Sequence, residues 1–163
     1  MYNIGDLVVY QKKVCKIKDI KEKFINENDY YILEPVNDPS LKLNVPTNNK
    51  SIRNIITKED VDNIIHNITS INTIDVDEKN IEYEYKKLLN NASHEDLIKI
   101  IKTTYLRNKD RIDNKKKISD KDKTYFDLAE KYLYTEFAAV LNMSYDDTKT
   151  YVIKEVEKEL KNV

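Results

Sequence analysis

Residues 4–10 read IGDLVVY, and the predicted structure of the N-terminal part of the chain starts from this segment. It contains the only glycine of the sequence, and a Gly-Asp pair is typical of a turn. The four residues that follow are apolar, β-branched or aromatic, which suits a pleated strand with one buried face. The stretch therefore predicts the opening strand of a small antiparallel barrel.

Four further apolar segments follow this strand, separated by turn residues such as those at 26–29 and 37–40. The first segment places Val14, Ile17 and Ile20 on one face only if a bulge interrupts the strand. The remaining strands are expected at Tyr30–Leu33, Leu41–Pro46 and Ser51–Ile56. Short strands without helical periodicity predict an SH3-like or Tudor-like β-barrel for residues 1–56.

At Thr57 the spacing of apolar residues changes from every second residue to every third or fourth residue. A helical domain is therefore expected to begin there and to extend over residues 57–163. Helix starts are indicated where Ser or Thr is followed three residues later by an acid. The chain shows this pattern at Thr57, Ser93, Ser119 and Ser144. Apolar stripes follow, among them Leu97 with Ile101 and Tyr105, and Val152 with Val156 and Leu160. The predicted fold class is α+β, with a barrel followed by a compact bundle of about five helices.

Composition and chemistry argue against several classes of protein. No apolar run approaches the roughly 20 residues of a membrane span, and Cys15 has no partner for an internal disulfide, so we expect a cytoplasmic protein that does not bind membranes. The sequence lacks a glycine-rich phosphate loop, a serine elbow and a His or Cys cluster with ligand spacing. We therefore expect no catalytic residues, no metal site, no cofactor and no enzymatic activity.

Charge is distributed unevenly along the chain. Residues 1–56 hold nine Lys or Arg and seven Asp or Glu, whereas residues 57–163 hold 19 and 22. Within the acidic second part, basic residues crowd around one connection between helices, at Arg107, Lys109, Arg111, Lys115, Lys116, Lys117, Lys121 and Lys123. This cluster has two interpretations, a phosphate-binding surface or a solvated loop of mixed charge, because aspartates are interspersed with it.

The opening stretch, the segment LNVP at 43–46, the helix from Ile56 to Ile68 and the segment NIEYEYK at 80–86 occur in a characteristic order. In this order and spacing they resemble the CarD/CdnL family of bacterial transcription regulators over nearly the whole chain. The barrel also resembles the polymerase-binding module of transcription-repair coupling factors. The resemblance implies a barrel that docks on the β subunit of bacterial RNA polymerase, with Lys23, Asn44 and Val45 in the docking surface.

The same resemblance implies that the helical domain contacts promoter DNA, through its minor groove and phosphates, near the upstream edge of the −10 element. This contact would stabilise the open complex, and the protein would reach the nucleoid through the polymerase. The family commonly has a Trp wedge where this chain has Ile81, so a weaker wedge is expected. The other implied DNA-facing residues are Tyr83, Lys86, Lys116, Lys121 and Lys123.

Two alternatives remain open at this point. Ile81 also continues the stripe of Tyr85 and Leu88, which favours plain core packing for this residue. Glu84 stands where the family usually has a basic residue, and it would repel phosphate. The rival hypothesis is a polymerase-bound adaptor whose helical domain binds proteins and not DNA.

Overall fold

A computed structural model describes residues 1–161 of the chain. The chain divides into two compact units, Met1–Ile56 and Thr57–Val163, called here the β domain and the helical domain. The first is an antiparallel sheet and the second consists of five α-helices and one 3₁₀ turn in its described part. This architecture confirms the predicted α+β class, with the strands first and the helices after them.

The β domain is one sheet in which every paired strand is antiparallel to its neighbour. Its strands are β1 Leu7–Tyr10, β2 Lys13–Ile25, β3 Asn28–Pro35, β4 Leu43–Pro46 and β5 Arg53–Asn54. Their spatial order is β4-β3-β2-β1-β5, so β4 and β5 form the two edges of the sheet. One face carries the core, built from Val8, Cys15, Ile17, Tyr31, Leu33, Val45 and Ile52.

Tight turns fix the register of this sheet. Gly5 has a φ of +95°, a conformation that glycine adopts without a steric penalty, and its N–H donates to the carbonyl oxygen of Ile17 at 2.8 Å. Two-residue loops with positive φ at both positions join β1 to β2 at Gln11 and Lys12, and β2 to β3 at Asn26 and Glu27. Such loops match the right-handed twist of the strands that they connect.

The bulge that the sequence predicts in β2 is present. The pairing of β2 with β3 shifts between Ile17 and Asp19, and again between Lys21 and Ile25. The first shift follows Ile17, which is fully buried, and precedes Ile20, which packs against the core from a partly buried position. The extra residue therefore keeps both isoleucines on the core side. Val14, also expected on that side, is paired with Val9 and is not part of this core.

The helices of the second domain are α1 Lys58–Asn67, α2 Ile81–Asn91, α3 His94–Asp113, α4 Asp120–Leu141 and α5 Tyr145–Lys161. A single 3₁₀ turn, Ile68–Ser70, extends α1. In the part of the chain that the structure describes, no helix is both long and apolar enough to cross a lipid bilayer.

The predicted helix caps are largely present. Thr57 and Asp60 form a complete capping box, in which each side chain accepts from the backbone N–H of the other residue. The hydroxyls of Ser93, Ser119 and Ser144 each accept from the N–H three residues later, at 3.1 to 3.2 Å. These bonds satisfy backbone donors that have no partner within a helix.

Two predicted core residues lie on the surface instead. Tyr105 is 56% exposed, and Leu160 near the end of α5 is also exposed. The inner face of α3 contains Ile100 and Thr104, one residue earlier than the predicted pair Ile101 and Tyr105. Leu97 is buried as predicted, so helical periodicity located the helix and the start of its buried stripe but not the residues that continue it.

Candidate functional site

The docking residues implied for the β domain lie on and near the edge strand β4. In β4, Val45 is opposite Tyr31 and Asn44 is opposite Ile32. The Val45 side chain is buried in the core, which corrects the expectation that it contacts a partner directly. Asn44 is exposed. Of these two residues, only Asn44 remains available to a partner at this edge.

The hydrogen-bond pattern of β4 determines which backbone groups point outward. The Thr47 N–H donates to the carbonyl oxygen of Asp29 at 3.0 Å, and the register of β4 continues this pairing to Tyr31 and Val45. Because hydrogen-bonded and non-bonded pairs alternate in an antiparallel ladder, Asn44 belongs to a non-bonded pair. Its N–H and C=O therefore face away from β3. Pro46, two residues on, has no N–H to offer there.

Lys23 lies near the tip of the β2–β3 hairpin, in the second bulge. Its backbone adopts a φ of 47°, and its N–H donates to Oδ1 of Asp29 at 2.9 Å. The side chain is exposed. Phe24 beside it packs edge-on against Tyr30, with 5.9 Å between ring centroids. The hairpin tip thus presents a lysine next to a partly exposed aromatic ring.

Ile81 does not lie on the surface of the helical domain. It begins α2, is only 1% exposed and shares its buried face with Tyr85 one turn later. This burial corrects the expectation of an Ile81 wedge, because the side chain has no access to DNA while α2 is packed in this way. The alternative reading, core packing along the stripe of Tyr85, matches the structure.

The outer face of α2 presents the next implied DNA contacts. Tyr83 is 70% exposed, and Lys86 is exposed on the same side of the helix. The Lys86 Nζ lies 3.7 Å from Oε1 of Glu82, an exposed pair one turn apart. Glu82 in turn accepts from the hydroxyl of Tyr125 on α4 at 3.4 Å. The face therefore combines an exposed aromatic ring with a lysine whose charge is only partly balanced.

A buried ionic cluster holds α2, α3 and α4 together. Asp122 in the first turn of α4 is fully buried. Its carboxylate accepts from the Tyr85 hydroxyl at 3.0 Å, from Nε of Arg107 at 2.9 Å and from Nη1 of Arg111 at 2.7 Å. Glu78, before α2, pairs with both arginines from the exposed side.

The cluster shifts the titration of its members. Burial raises the pKa of Asp122, but hydrogen bonds from Arg111, Arg107 and Tyr85 outweigh that effect and hold its pKa below the ordinary value. Burial also raises the pKa of Tyr85, and the neighbouring carboxylate raises it further. Asp122 is therefore ionised at neutral pH and balances charge inside the domain.

This cluster removes two members from the predicted basic surface. Arg107 and Arg111 form ion pairs with Asp122 and Glu78 inside the domain. Their charges are therefore already balanced and are not available to bind phosphate. Lys116 is exposed in the α3–α4 connection, Lys121 is half-buried, and Lys123 is exposed beside Asp127, with Nζ–Oδ distances of 2.9 and 3.0 Å. Sequence reasoning interpreted Asp122 only as a helix cap and missed its role as an anchor.

The implied DNA-facing residues divide between two places. The hydrogen bond from Arg107 lowers the pKa of Glu78, just before α2, and the nearby charge of Lys121 lowers that pKa further, so Lys121 lies on the α2 side. Lys123 instead lines a groove between α3 and α4, together with Tyr105 and Phe126. Sequence reasoning missed this groove, although Ile112 and Ile118 stand out as large apolar residues in a lysine-rich segment.

Comparison with protein-family models finds one family for this chain. Residues 2–56 match the family described as CarD-like/TRCF RID domain. The match covers the β domain and confirms the resemblance to CarD/CdnL proteins over that part of the chain. Domains of this family occur in proteins that interact with RNA polymerase. They are interaction domains and not catalytic domains. A search of curated protein sequences finds no match.

Proposed function

We propose that this protein is a transcription regulator that binds the β subunit of bacterial RNA polymerase through its β domain. The main support for this proposal is the family match over residues 2–56. The structure adds an edge strand whose Asn44 turns its backbone N–H and C=O outward. A strand of the polymerase that pairs with this edge would gain main-chain hydrogen bonds, while Lys23 and Asn44 supply side-chain contacts.

We further propose that the helical domain contacts promoter DNA near the upstream edge of the −10 element and stabilises the open complex. The outer face of α2 supports this proposal, because Tyr83 offers an exposed aromatic ring and Lys86 a nearby positive charge. Lys121 and Lys116 would add phosphate contacts. Once the β domain is bound, even weak DNA affinity acts at a high effective concentration.

A second candidate function is favoured by the charge of the helical domain. Residues 57–163 carry more acids than bases, and both arginines of the basic surface are paired internally. In this case the protein still binds polymerase, but the helical domain recruits another protein instead of contacting DNA. The two functions predict different effects on the lifetime of the open complex.

The experiment uses the full chain and purified bacterial RNA polymerase. Binding to the isolated β-subunit lobe is measured by titration, and the lifetime of open complexes is measured with and without the protein. We expect binding to the lobe, weakened about tenfold by Lys23→Glu and unchanged by Lys50→Glu, an exposed lysine in the loop after β4. Absence of lobe binding would reject the proposal, and binding without a longer lifetime would favour the adaptor.

A further inference from the structure

An apolar groove of about 280 Å³ lies between α3 and α4 of the helical domain. Tyr105 and Ile112 of α3, Ile118 of the connection and Phe126 of α4 contribute its apolar lining. Three of these side chains are exposed, Tyr105 at 56%, Ile112 at 59% and Ile118 at 40%. Large apolar side chains that gather in one concave patch mark an interaction surface, whereas isolated ones do not.

The rim of the groove is positively charged. Lys109 and Lys123 line it, and the adjoining connection carries three consecutive lysines at 115–117. Lys109 forms no ion pair within residues 1–161, and the pair of Lys123 with Asp127 is an exposed contact between neighbouring turns, which Lys123 can exchange for another acidic partner at little energetic cost. The aspartates that are close to these lysines in sequence, Asp110, Asp113, Asp120 and Asp122, are not among the residues that line the groove.

We propose that this groove binds an acidic peptide segment of a partner protein that inserts large apolar side chains between α3 and α4. The apolar floor would take the inserted side chains, and the lysine rim would pair with acids flanking them. DNA is the less suitable occupant, because its phosphates need cations but leave an apolar floor unused. The proposal goes beyond the polymerase binding and DNA contact proposed above and does not depend on them, because all the residues that line the groove belong to the helical domain.

The test uses the full chain and three labelled peptides of equal length, followed by fluorescence anisotropy. In the first, leucines recur at helical spacing among glutamates. The second has the same composition in scrambled order, and the third has lysine in place of glutamate. We expect the first peptide to bind about tenfold more tightly than the second, and the third not to bind.

Matched variants test whether the first peptide binds in the groove. Ile112→Ser is compared with Ile153→Ser, because Ile153 on α5 is 51% exposed and lies outside the groove. Lys109→Glu is compared with Lys131→Glu, an exposed lysine of α4 that does not line the groove. We expect both groove variants to weaken the first peptide about fivefold or more and both controls to leave it unchanged. Thermal melts check that each variant folds, which is expected because all four side chains are exposed.

Three outcomes would overturn the proposal. The first is equal binding of the ordered and scrambled acidic peptides. The second is an equal effect of Ile112→Ser and Ile153→Ser on the first peptide. The third is a duplex DNA that displaces the peptide and loses its own affinity in Ile112→Ser, which would make the groove a nucleic-acid surface. Binding to the polymerase lobe is measured separately on the same variants, so its failure is distinguishable from each of these.

Discussion

The core of the β domain is apolar, whereas the helical domain buries charged side chains in addition to its apolar core. All the buried polar and charged side chains of the described residues lie in the helical domain, including Asp122, Glu130 and Glu136. The β domain offers partners the backbone of an edge strand, and the helical domain offers side chains on helix faces. A strand edge keeps its function through many substitutions, but a buried ionic cluster depends on each of its members.

This contrast also agrees with the limit of the family match. The match ends at Ile56, the last residue of the β domain, and does not extend into the helical domain with its buried charges. A small apolar core tolerates exchange of one apolar residue for another of similar volume. The helical domain instead needs Tyr85, Arg107, Arg111 and Asp122 together.

Replacement of Asp122 with alanine should destabilise the helical domain by about 3–5 kcal/mol, because two arginines and a tyrosine hydroxyl lose a buried partner. Chemical unfolding of the full chain, followed by helical circular dichroism, measures the effect. The control is Asp127→Ala, which removes an exposed pair and should cost less than about 1 kcal/mol. Equal costs for the two variants would show that the cluster does not hold the domain.

The cluster also predicts a pH dependence with a defined sign. The pKa of Asp122 is lower in the folded state than its unfolded value of about 3.9. Its stabilisation is therefore fully present above the unfolded pKa and is lost as pH falls through the folded pKa.

The difference in unfolding free energy between the wild type and Asp122→Asn isolates this contribution from other carboxylates. We expect the difference to be constant between about pH 5 and 7 and to shrink below about pH 4. If this free-energy difference stayed constant below about pH 4, Asp122 would not be preferentially ionised in the folded protein.

Ile81→Trp should destabilise the helical domain by about 1–3 kcal/mol, because a larger ring is forced into a packed position. Unfolding of the full chain measures the effect, and Tyr83→Trp on the exposed side of α2 serves as the control with little expected change. A stable Ile81→Trp protein that lengthens the life of open complexes would show that residue 81 reaches DNA after all.

Lys86→Glu should have the smallest effect, a roughly twofold to threefold shorter open-complex lifetime and a salt dependence reduced by about one phosphate contact. The comparison variant is Lys154→Glu, which reverses an exposed charge on α5. Lifetimes are measured at several salt concentrations with the protein bound to polymerase. Equal lifetimes for the two variants would remove α2 from the DNA-facing surface and favour the adaptor function.

The features that the sequence predicted correctly are local. The Gly5 turn, the strand after it, the bulge in β2 and the serine caps each depend on a few neighbouring residues, and all are present. Ile81 and Tyr105 could not be assigned in the same way. Both are large and apolar at helical spacing, and only the packing of α2, α3 and α4 decides which one is buried.

Asp122 shows the same limit for a charged residue. Its spacing from Ser119 is that of a capping box, and its backbone N–H does bond to the serine hydroxyl at 3.2 Å. The carboxylate turns inward instead, because Tyr85, Arg107 and Arg111 converge on it from two other helices. No local pattern in the sequence predicts that these three side chains meet at Asp122.

The proposed recognition of polymerase by the edge of β4 can be tested at Asn44. The affinity of the full chain for the β-subunit lobe is measured for Asn44→Pro and Asn44→Ala, with circular dichroism to check the fold. Proline removes the outward N–H without breaking a hydrogen bond to β3, whereas alanine keeps that N–H. We predict that proline weakens binding at least about tenfold while alanine changes it less than about threefold. Equal affinities for the two variants would contradict strand pairing at this edge.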